Sequence, residues 1–291
     1  YGEVAPLEAF LTESVEEALA LLNSCDGSYD ELISRGIPSG FPATEMALWS
    51  AENLLREPPP PPRRFPVTAL LSSGAEAIPQ ILEKVEAGYQ SFKWKIGVYP
   101  MEREFAWLNR LIEELPPQGK LRLDANGGLR PESFRRWLEQ VGSIPQFEFF
   151  EQPLPPAEQT AMLEESRPYG VQIALDESVS QVGSLLQALI SGWTGLLVIK
   201  PSIVGSPFQY LQWQTGWERD FVFSSAFETA VGMESALRLI SLIPEGDRIR
   251  SLGFGTNAYF EADGLSLHGD APEITVGQIS REEMQDLWNR L

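Results

Sequence analysis

Short apolar runs recur along this chain at a nearly constant interval. They begin near Val67, Phe92, Leu121, Phe147, Gln172, Leu196, Phe221 and Ile249, at separations of 24 to 29 residues. Between them lie segments with helical spacing. Ile78, Ile81, Leu82 and Val85 form one apolar stripe, and Phe105, Leu108, Ile112 and Leu115 form another. Strand, helix, strand at such a period is the signature of βαβ units, whose strands run parallel. About eight strands in this rhythm suit a closed (β/α) barrel. An open doubly wound sheet would need a phosphate-binding glycine loop after its first strand, and Leu70-Leu71-Ser72-Ser73-Gly74 is not one. Gly253-Phe254-Gly255-Thr256-Asn257-Ala258 matches G-x-G-x-x-A, but no long helix and no βαβ unit follow it. It reads as the loop of the last strand.

Ahead of this rhythm the chain reads as short helices. Ser14 is placed to cap a run in which Ala18, Leu21 and Leu22 share a face, and a second helix is expected from about Ala43 to Leu55. Pro58 to Pro62 joins neither helix nor ladder and reads as a stiff connector rather than a docking ligand. Acidic residues outnumber basic ones 41 to 22, a net charge of −19. That balance argues against nucleic acid and against an anionic membrane surface as partners. A small anionic substrate stays compatible, because a few lysines in a cleft set a local field against the global sign. Cys25 is the single cysteine and His268 the single histidine, which excludes an intramolecular disulfide, a thiolate cage and a His-rich metal site. His268 lies outside the strand rhythm and reads as a solvated loop residue. No apolar run approaches a membrane span and no signal peptide is visible, so the expected compartment is the cytoplasm.

Parallel barrel strands are normally apolar because both faces are buried. Five strands here break that rule at or near their C-terminal ends, with Lys93-Trp94-Lys95, Arg122-Leu123-Asp124-Ala125-Asn126, Glu151, Asp176 and Lys200. Alternation puts Lys93 with Lys95, and Arg122 with Asp124 and Asn126, on one face, leaving Trp94, Leu123 and Ala125 toward the helices. The carboxyl ends of barrel strands meet at one rim, so these residues converge in space. Three carboxylates from successive strands repel one another unless a cation sits between them. Hard oxygen donors without His or Cys point to Mg²⁺, with Mn²⁺ as a substitute. The alternative is three separate strand-end acids, each paired with a Lys or Arg. A divalent ion beside lysines suits proton abstraction next to a carboxylate.

These motifs resemble the muconate-lactonizing-enzyme subgroup of the enolase superfamily, and within it most closely the o-succinylbenzoate synthase family. The resemblance runs over most of the chain: Gly2-Glu3-Val4-Ala5-Pro6-Leu7, Phe92-Lys93-Trp94-Lys95, Leu121-Arg122-Leu123-Asp124-Ala125-Asn126, Glu151-Gln152-Pro153-Leu154, Ala174-Leu175-Asp176-Glu177-Ser178 and Ile199-Lys200-Pro201. It implies an α/β fold, a (β/α)7β-type TIM barrel with an N-terminal α+β capping domain. Residues 1–65 would be the helical remainder of the cap, 66–260 the barrel, and 261–291 a C-terminal segment returning to the cap. Family members carry cap strands before the Gly-Glu motif, so a segment upstream of Tyr1 is expected.

The resemblance implies Asp124, Glu151 and Asp176 as ligands of Mg²⁺ or Mn²⁺, and Lys95 as the acid/base. Lys95 would take the proton alpha to the carboxylate of 2-succinyl-6-hydroxy-2,4-cyclohexadiene-1-carboxylate and then help the hydroxyl leave as water, in a syn elimination serving menaquinone or phylloquinone biosynthesis. Lys200 would lie on the opposite face, its ammonium over the ring. For Lys93 two readings stand, contact with the substrate carboxylate beside Lys95 or a barrel-lining charge paired with an acid. Arg122 either positions the carboxylates of this small anionic dicarboxylate substrate, holds the metal shell, or makes a plain salt bridge. Ser224 and Ser225 are expected to hold the succinyl carboxylate, with ordinary loop serines as the alternative. Gln152 and Glu177 follow ligands in sequence and are expected to point away from the metal, supporting its ligands from behind or lying on the outer barrel rather than ligating. N-acylamino-acid racemases, dipeptide epimerases and muconate cycloisomerases share this scaffold and are the rival activities. The Asp-x-Asp that epimerases carry on the last strand is absent from the Gly253-Phe254-Gly255-Thr256-Asn257 stretch. A non-catalytic binding barrel would have no use for the full set of lysines and carboxylates.

Overall fold

A computed structural model describes residues 1–55, 58, 60–206, 221–244, 249–256, 264–266 and 271–290. Its centre is a parallel sheet in which each strand neighbours the next in sequence. The strands are β2 (Ala69–Leu71), β3 (Ser91–Lys95), β4 (Lys120–Asp124), β5 (Phe147–Glu151), β6 (Ile173–Leu175), β7 (Leu196–Ile199) and β8 (Phe221–Phe223). A short strand β1 (Arg64–Pro66) precedes them. The eighth barrel position is taken by Leu252 and Gly253, which bridge in parallel to Val67 on one side and Ser224 on the other. Thr68 N–H donates to Leu252 O at 2.8 Å and Gly253 N–H donates to Phe223 O at 2.8 Å, so the sheet closes on itself. Each expected strand start is met by a strand or by this closing bridge.

The helices between strands are α4 (Ala77–Glu86), α5 (Met101–Glu114), α6 (Pro131–Val141), α7 (Gln159–Ser166) and α8 (Val182–Ile190), and α9 (Ala230–Ser241) follows β8. Their apolar stripes pack on the outer face of the sheet. Trp94 and Leu123 are fully buried there, and Trp94 stands edge-on to Trp137 of α6 with ring centroids 6.4 Å apart. Phe149, Ala174, Leu196, Val198 and Val222 form a separate cluster filling the barrel interior. Alternation along each strand produces these two sets, one toward the helices and one inward.

The first residues form α1 (Val15–Asn23), α2 (Tyr29–Arg35) and α3 (Pro42–Asn53). Ser14 caps α1 in a capping box with Glu17, as expected from the sequence. Two carboxylates, the buried Glu13 and the half-buried Glu3, serve the N–H groups that a helix start leaves without partners. Glu13 accepts from Ala43 N and Thr44 N at the start of α3. Glu3 accepts from Thr229 N and Gly232 N, both at 2.7 Å, at the start of α9. In many barrels a bound anion sits at such a helix start; here the chain's own Gly-Glu motif fills it. Removing this charged cap should therefore destabilise the fold. Glu3→Ala is expected to lower unfolding free energy by about 2 kcal/mol in urea melts, and a change within about 0.5 kcal/mol would contradict this role.

The amino-terminal segment lies across the C-terminal rim. Val4, Leu7 and Phe10 pack on a cluster of Ala43, Ile203 and Ala226. Strand β1 pairs antiparallel with β9 (Glu273–Thr275), and α10 (Arg281–Arg290) follows it. Met284 and Leu287 of α10 are buried in the main core, and the Tyr1 and Trp288 rings meet at 6.5 Å. No described helix is long and apolar enough to cross a membrane. His268, the 257–258 end of the glycine pattern and the expected boundary between 260 and 261 lie outside the described residues.

Candidate active site

Strand register brings the charged residues together. Lys95 is the Cα partner of Asp124, and Asp124 is the Cα partner of Glu151. Asp176 and Lys200 each follow the last residue of their strands, β6 and β7. In the eight-membered ring β3 and β7 stand four positions apart, which puts Lys95 and Lys200 on opposite sides of the rim. The three carboxylates occupy the strand ends between them. The other half of the rim, from β8 through Leu252–Gly253 to β2, carries hydroxyls and glycines instead.

A cavity of about 480 Å³ opens at this rim. Lys93, Lys95, Asp124, Asn126, Asp176 and Lys200 line its charged side. Ser224, Ser225, Gly253, Gly255, Thr256, Thr68 and Ser72 line the uncharged side, and Phe10 and Phe227 stand at the mouth. Glu151 is buried beneath it. Lys93 Nζ reaches Glu151 Oε1 at 2.8 Å and Asp124 Oδ2 at 3.2 Å. Lys200 Nζ pairs with Asp176 Oδ1 and sits 4.1 Å from the centroid of the Phe10 ring. Lys95 makes no ion pair among the described residues and is left facing the cavity.

Burial dominates the electrostatics. It pushes Glu151 up to about 7, with Asp124 and Asp176 adding to the effect and Lys93 and Lys200 opposing it. Burial also raises Asp176, against the pull of Lys200. For Lys93 burial disfavours the charge, but attraction to Glu151, Asp124 and Asp176 outweighs it and holds the ammonium above the ordinary lysine value. Three acids share two ammonium groups here, and the raised values of Glu151 and Asp176 reflect how poorly this place holds a third negative charge. An all-oxygen donor set that needs a further positive charge to ionise fully fits a hard divalent cation. Among the described residues no group of three carboxylates is drawn into a ready-made cage, since Lys93 holds Asp124 with Glu151 while Lys200 holds Asp176.

Other expected residues fall elsewhere. Arg122 is not in the cavity wall. It is buried and engaged with Glu148 at 2.7 Å and with Ser251 O at 2.9 Å, over the Phe149 ring at 4.9 Å. Arg250 completes the group with its own 2.6 Å contact to Glu148. This is the salt-bridging reading of Arg122, and it replaces the substrate contact. Asn126 lines the cavity, but its amide donates to Glu177 Oε1 at 3.0 Å. Gln152 points away from the cavity, as expected.

Sequence reasoning missed Phe10, Thr256 and Glu228. Phe10 and Thr256 are brought to the rim by contacts across the whole chain, and only the Gly2-Glu3 motif and the last-strand loop hint at them. Glu228 lies behind Ser225. Thr256 Oγ1 is 3.1 Å from Ser225 Oγ, which in turn donates to Glu228 Oε2 at 3.2 Å, and Ala226 N donates to the same oxygen at 2.6 Å. Burial pushes the Glu228 carboxyl up to about 7, against its backbone hydrogen bonds. A folded value above the unfolded 4.5 means that the folded state keeps a proton the unfolded chain has lost. This contribution is full below pH 4.5 and disappears as pH rises to about 7. Glu228→Gln, which carries no charge, should therefore gain on wild type by about 3 kcal/mol between pH 4 and 8 in urea melts. Parallel pH profiles for the two proteins would contradict the buried-carboxyl account.

Residues 76–213 match the enolase C-terminal domain-like family. The chain is 35% identical over 267 residues to the o-succinylbenzoate synthase of Thermosynechococcus vestitus, covering 90% of this chain and 82% of that protein. It is 30% identical to the o-succinylbenzoate synthase of Yersinia enterocolitica, over 99% of this chain and 87% of that one. The crystal structure of the Thermosynechococcus elongatus enzyme, with magnesium in its active site, superposes with a TM-score of 0.80 at 31% identity, covering 100% of this chain and 87% of that one. A dipeptide epimerase from Cytophaga hutchinsonii shares the fold at 17% identity, with a TM-score of 0.77 over 95% of this chain and 82% of that one. Extended similarity at these identities, together with opposed lysines flanking three strand-end carboxylates, means that the chain belongs to the o-succinylbenzoate synthase family of the enolase superfamily.

Proposed function

We propose that the chain catalyses the syn-dehydration of 2-succinyl-6-hydroxy-2,4-cyclohexadiene-1-carboxylate to 2-succinylbenzoate, as a magnesium-dependent lyase of menaquinone or phylloquinone biosynthesis. The observation that carries this reading is the division of the rim. One half holds Lys95, the three carboxylates and Lys200; the other holds neutral donors. A dicarboxylate fits with its reacting carboxylate at the charged half and its succinyl carboxylate at Ser224, Ser225 and Thr256.

Asp124, Glu151 and Asp176 would hold Mg²⁺, or Mn²⁺ in its place. When bound, the ion supplies positive charge that offsets the second negative charge building up on the substrate carboxylate. Lys95, which has no ion pair among the described residues, is the group that accepts the alpha proton as the C–H bond breaks and its electron pair moves toward the carboxylate. The same ammonium then gives that proton to the departing hydroxyl, the C–O bond breaks, and water and an aromatic ring result. Lys200, oriented by Asp176 and Phe10, offers a fixed charge on the opposite face. Lys93 is committed to Glu151 and Asp124 and acts by balancing their charge.

Residues 1–65 would serve as a cap over the mouth, 66–260 as the barrel and 261–291 as a segment returning to the cap. The small dicarboxylate is the partner expected, and the cytoplasm the expected compartment. The described Gly253-Phe254-Gly255-Thr256 stretch offers no carboxylate to hold a dipeptide ammonium, which favours dehydration over epimerisation. The deciding assay supplies the cyclohexadiene carboxylate and, separately, N-acylamino acids with Mg²⁺ and compares kcat/KM. A higher value for racemisation would overturn the reading.

A further inference from the structure

Gln152 follows Glu151 at the end of β5 and is fully buried. Its φ of +36° lies in the left-handed region, which a residue with a side chain adopts at a cost of about 1–3 kcal/mol. A surrounding network has to hold it there, and every hydrogen-bonding position of its amide is used. Oε1 accepts from Asp176 N at 3.0 Å and from Ser178 N at 3.2 Å. Nε2 donates to Leu154 O at 2.9 Å and to Ser178 Oγ at 2.8 Å. The two backbone donors facing Oε1 settle which end of the amide is oxygen.

The backbone of the same residue extends the connection to both neighbouring strands. Gln152 N donates to Ala174 O at 2.8 Å, and Gly127 N donates to Gln152 O at 2.7 Å. One residue thus joins the chain just after Asp124, the chain just after Glu151 and the chain at Asp176. Asp124 and Glu151 are paired in the β4–β5 ladder, but Asp176 lies one residue beyond the end of β6, where the ladder no longer sets its distance from the other two. Carboxylates that must meet one ion need that spacing set in advance.

We propose that Gln152 is a positioning residue that fixes the relative placement of the strand ends bearing Asp124, Glu151 and Asp176, and so sets the affinity of the site for its divalent cation. The inference rests on the assignment of those three carboxylates as the cation's ligands. Gln152 touches neither substrate nor ion. Its effect passes through the peptide N–H of Asp176 and the turn at Ser178.

Gln152→Met keeps the side-chain volume and removes all four amide hydrogen bonds. Calorimetric titration of the EDTA-stripped protein with Mg²⁺ alone should give a Kd raised about 10- to 100-fold. In the dehydration assay the Mg²⁺ concentration for half-activation should rise in parallel, with kcat largely recovered at saturating Mg²⁺. A purely structural residue would lower the melting temperature and leave that Kd alone. A folded Gln152→Met protein with a Mg²⁺ Kd within twofold of wild type overturns the inference. If Gln152→Met shows no cooperative melt, Ser178→Ala decides, because it deletes one partner of the amide. An increase in Kd of about threefold or more supports the role, and an unchanged value overturns it. Asp176→Asn runs alongside as the control for the ligand assignment. Wild-type Mg²⁺ affinity in that variant would overturn the assignment itself, a result distinct from failure of the Gln152 variants alone.

Discussion

Lys95→Ala should eliminate dehydration, with kcat falling by about 10³-fold, since a positioned general base contributes about 10²–10⁴. Lys95 is the cavity lysine without an ion pair among the described residues, while Lys93 and Lys200 are each held by carboxylates. Lys200→Ala should also be severely impaired, for a different reason: it removes a fixed charge and leaves Asp176 without its counter-ion. Lys200→Arg separates the two causes. Arginine keeps the charge but does not act as a base near neutral pH. An enzyme with Lys95 as its one base retains measurable dehydration in Lys200→Arg, whereas a two-base racemase would lose racemisation and keep only solvent-hydrogen exchange of one enantiomer. Product formation is followed by the appearance of the aromatic ring, and exchange by NMR in deuterated water. Near-wild-type dehydration in Lys95→Ala would overturn the assignment.

The second large effect is loss of all turnover on metal removal. EDTA should abolish activity, Mg²⁺ should restore it and Mn²⁺ should substitute. Asp124→Asn, Glu151→Gln and Asp176→Asn should each weaken metal binding. Mg²⁺ at about 100 times its Kd should add about 2.7 kcal/mol to the stability of the wild type, seen as a raised melting temperature. The three variants should differ in the absence of metal. Glu151→Gln leaves Lys93 its contact with Asp124, and Asp124→Asn leaves it Glu151. Asp176→Asn instead leaves the buried Lys200 ammonium without a carboxylate partner among the described residues, a loss on the order of 3–5 kcal/mol. Full turnover in metal-free buffer would sink the three-ligand site, and equal metal-free stabilities would sink the account of Lys200.

Much of this was legible in the chain because it depends on local regularity. A strand-helix period is written into consecutive residues, and strand alternation alone separates Lys93, Lys95 and Asp124 from Trp94 and Leu123. Convergence of strand carboxyl ends follows from parallel topology without any coordinates. The cap of α1 was equally readable, since Ser14 and Glu17 stand three residues apart.

Alternation names a face but not a partner, and there the sequence alone stopped. Arg122 shares a face with Asp124, yet its side chain turns to Glu148 and to Ser251, which is 129 residues away. Phe10 reaches Lys200, and Glu3 reaches the start of α9, 226 residues on. The eighth barrel position was legible as a run near Ile249, but only the structure shows it reduced to single bridges at Leu252 and Gly253. Gln152 reads as a residue beside a ligand; only the turns after three strands reveal it as their common joint. The sequence by itself determined the barrel, the rim and the sign of each charge on it, because period and alternation act over a few residues. Tertiary structure decided which charges pair, which cavity lysine has no ion pair among the described residues and which rings line the cavity, because those depend on distances between segments that meet only when the barrel closes.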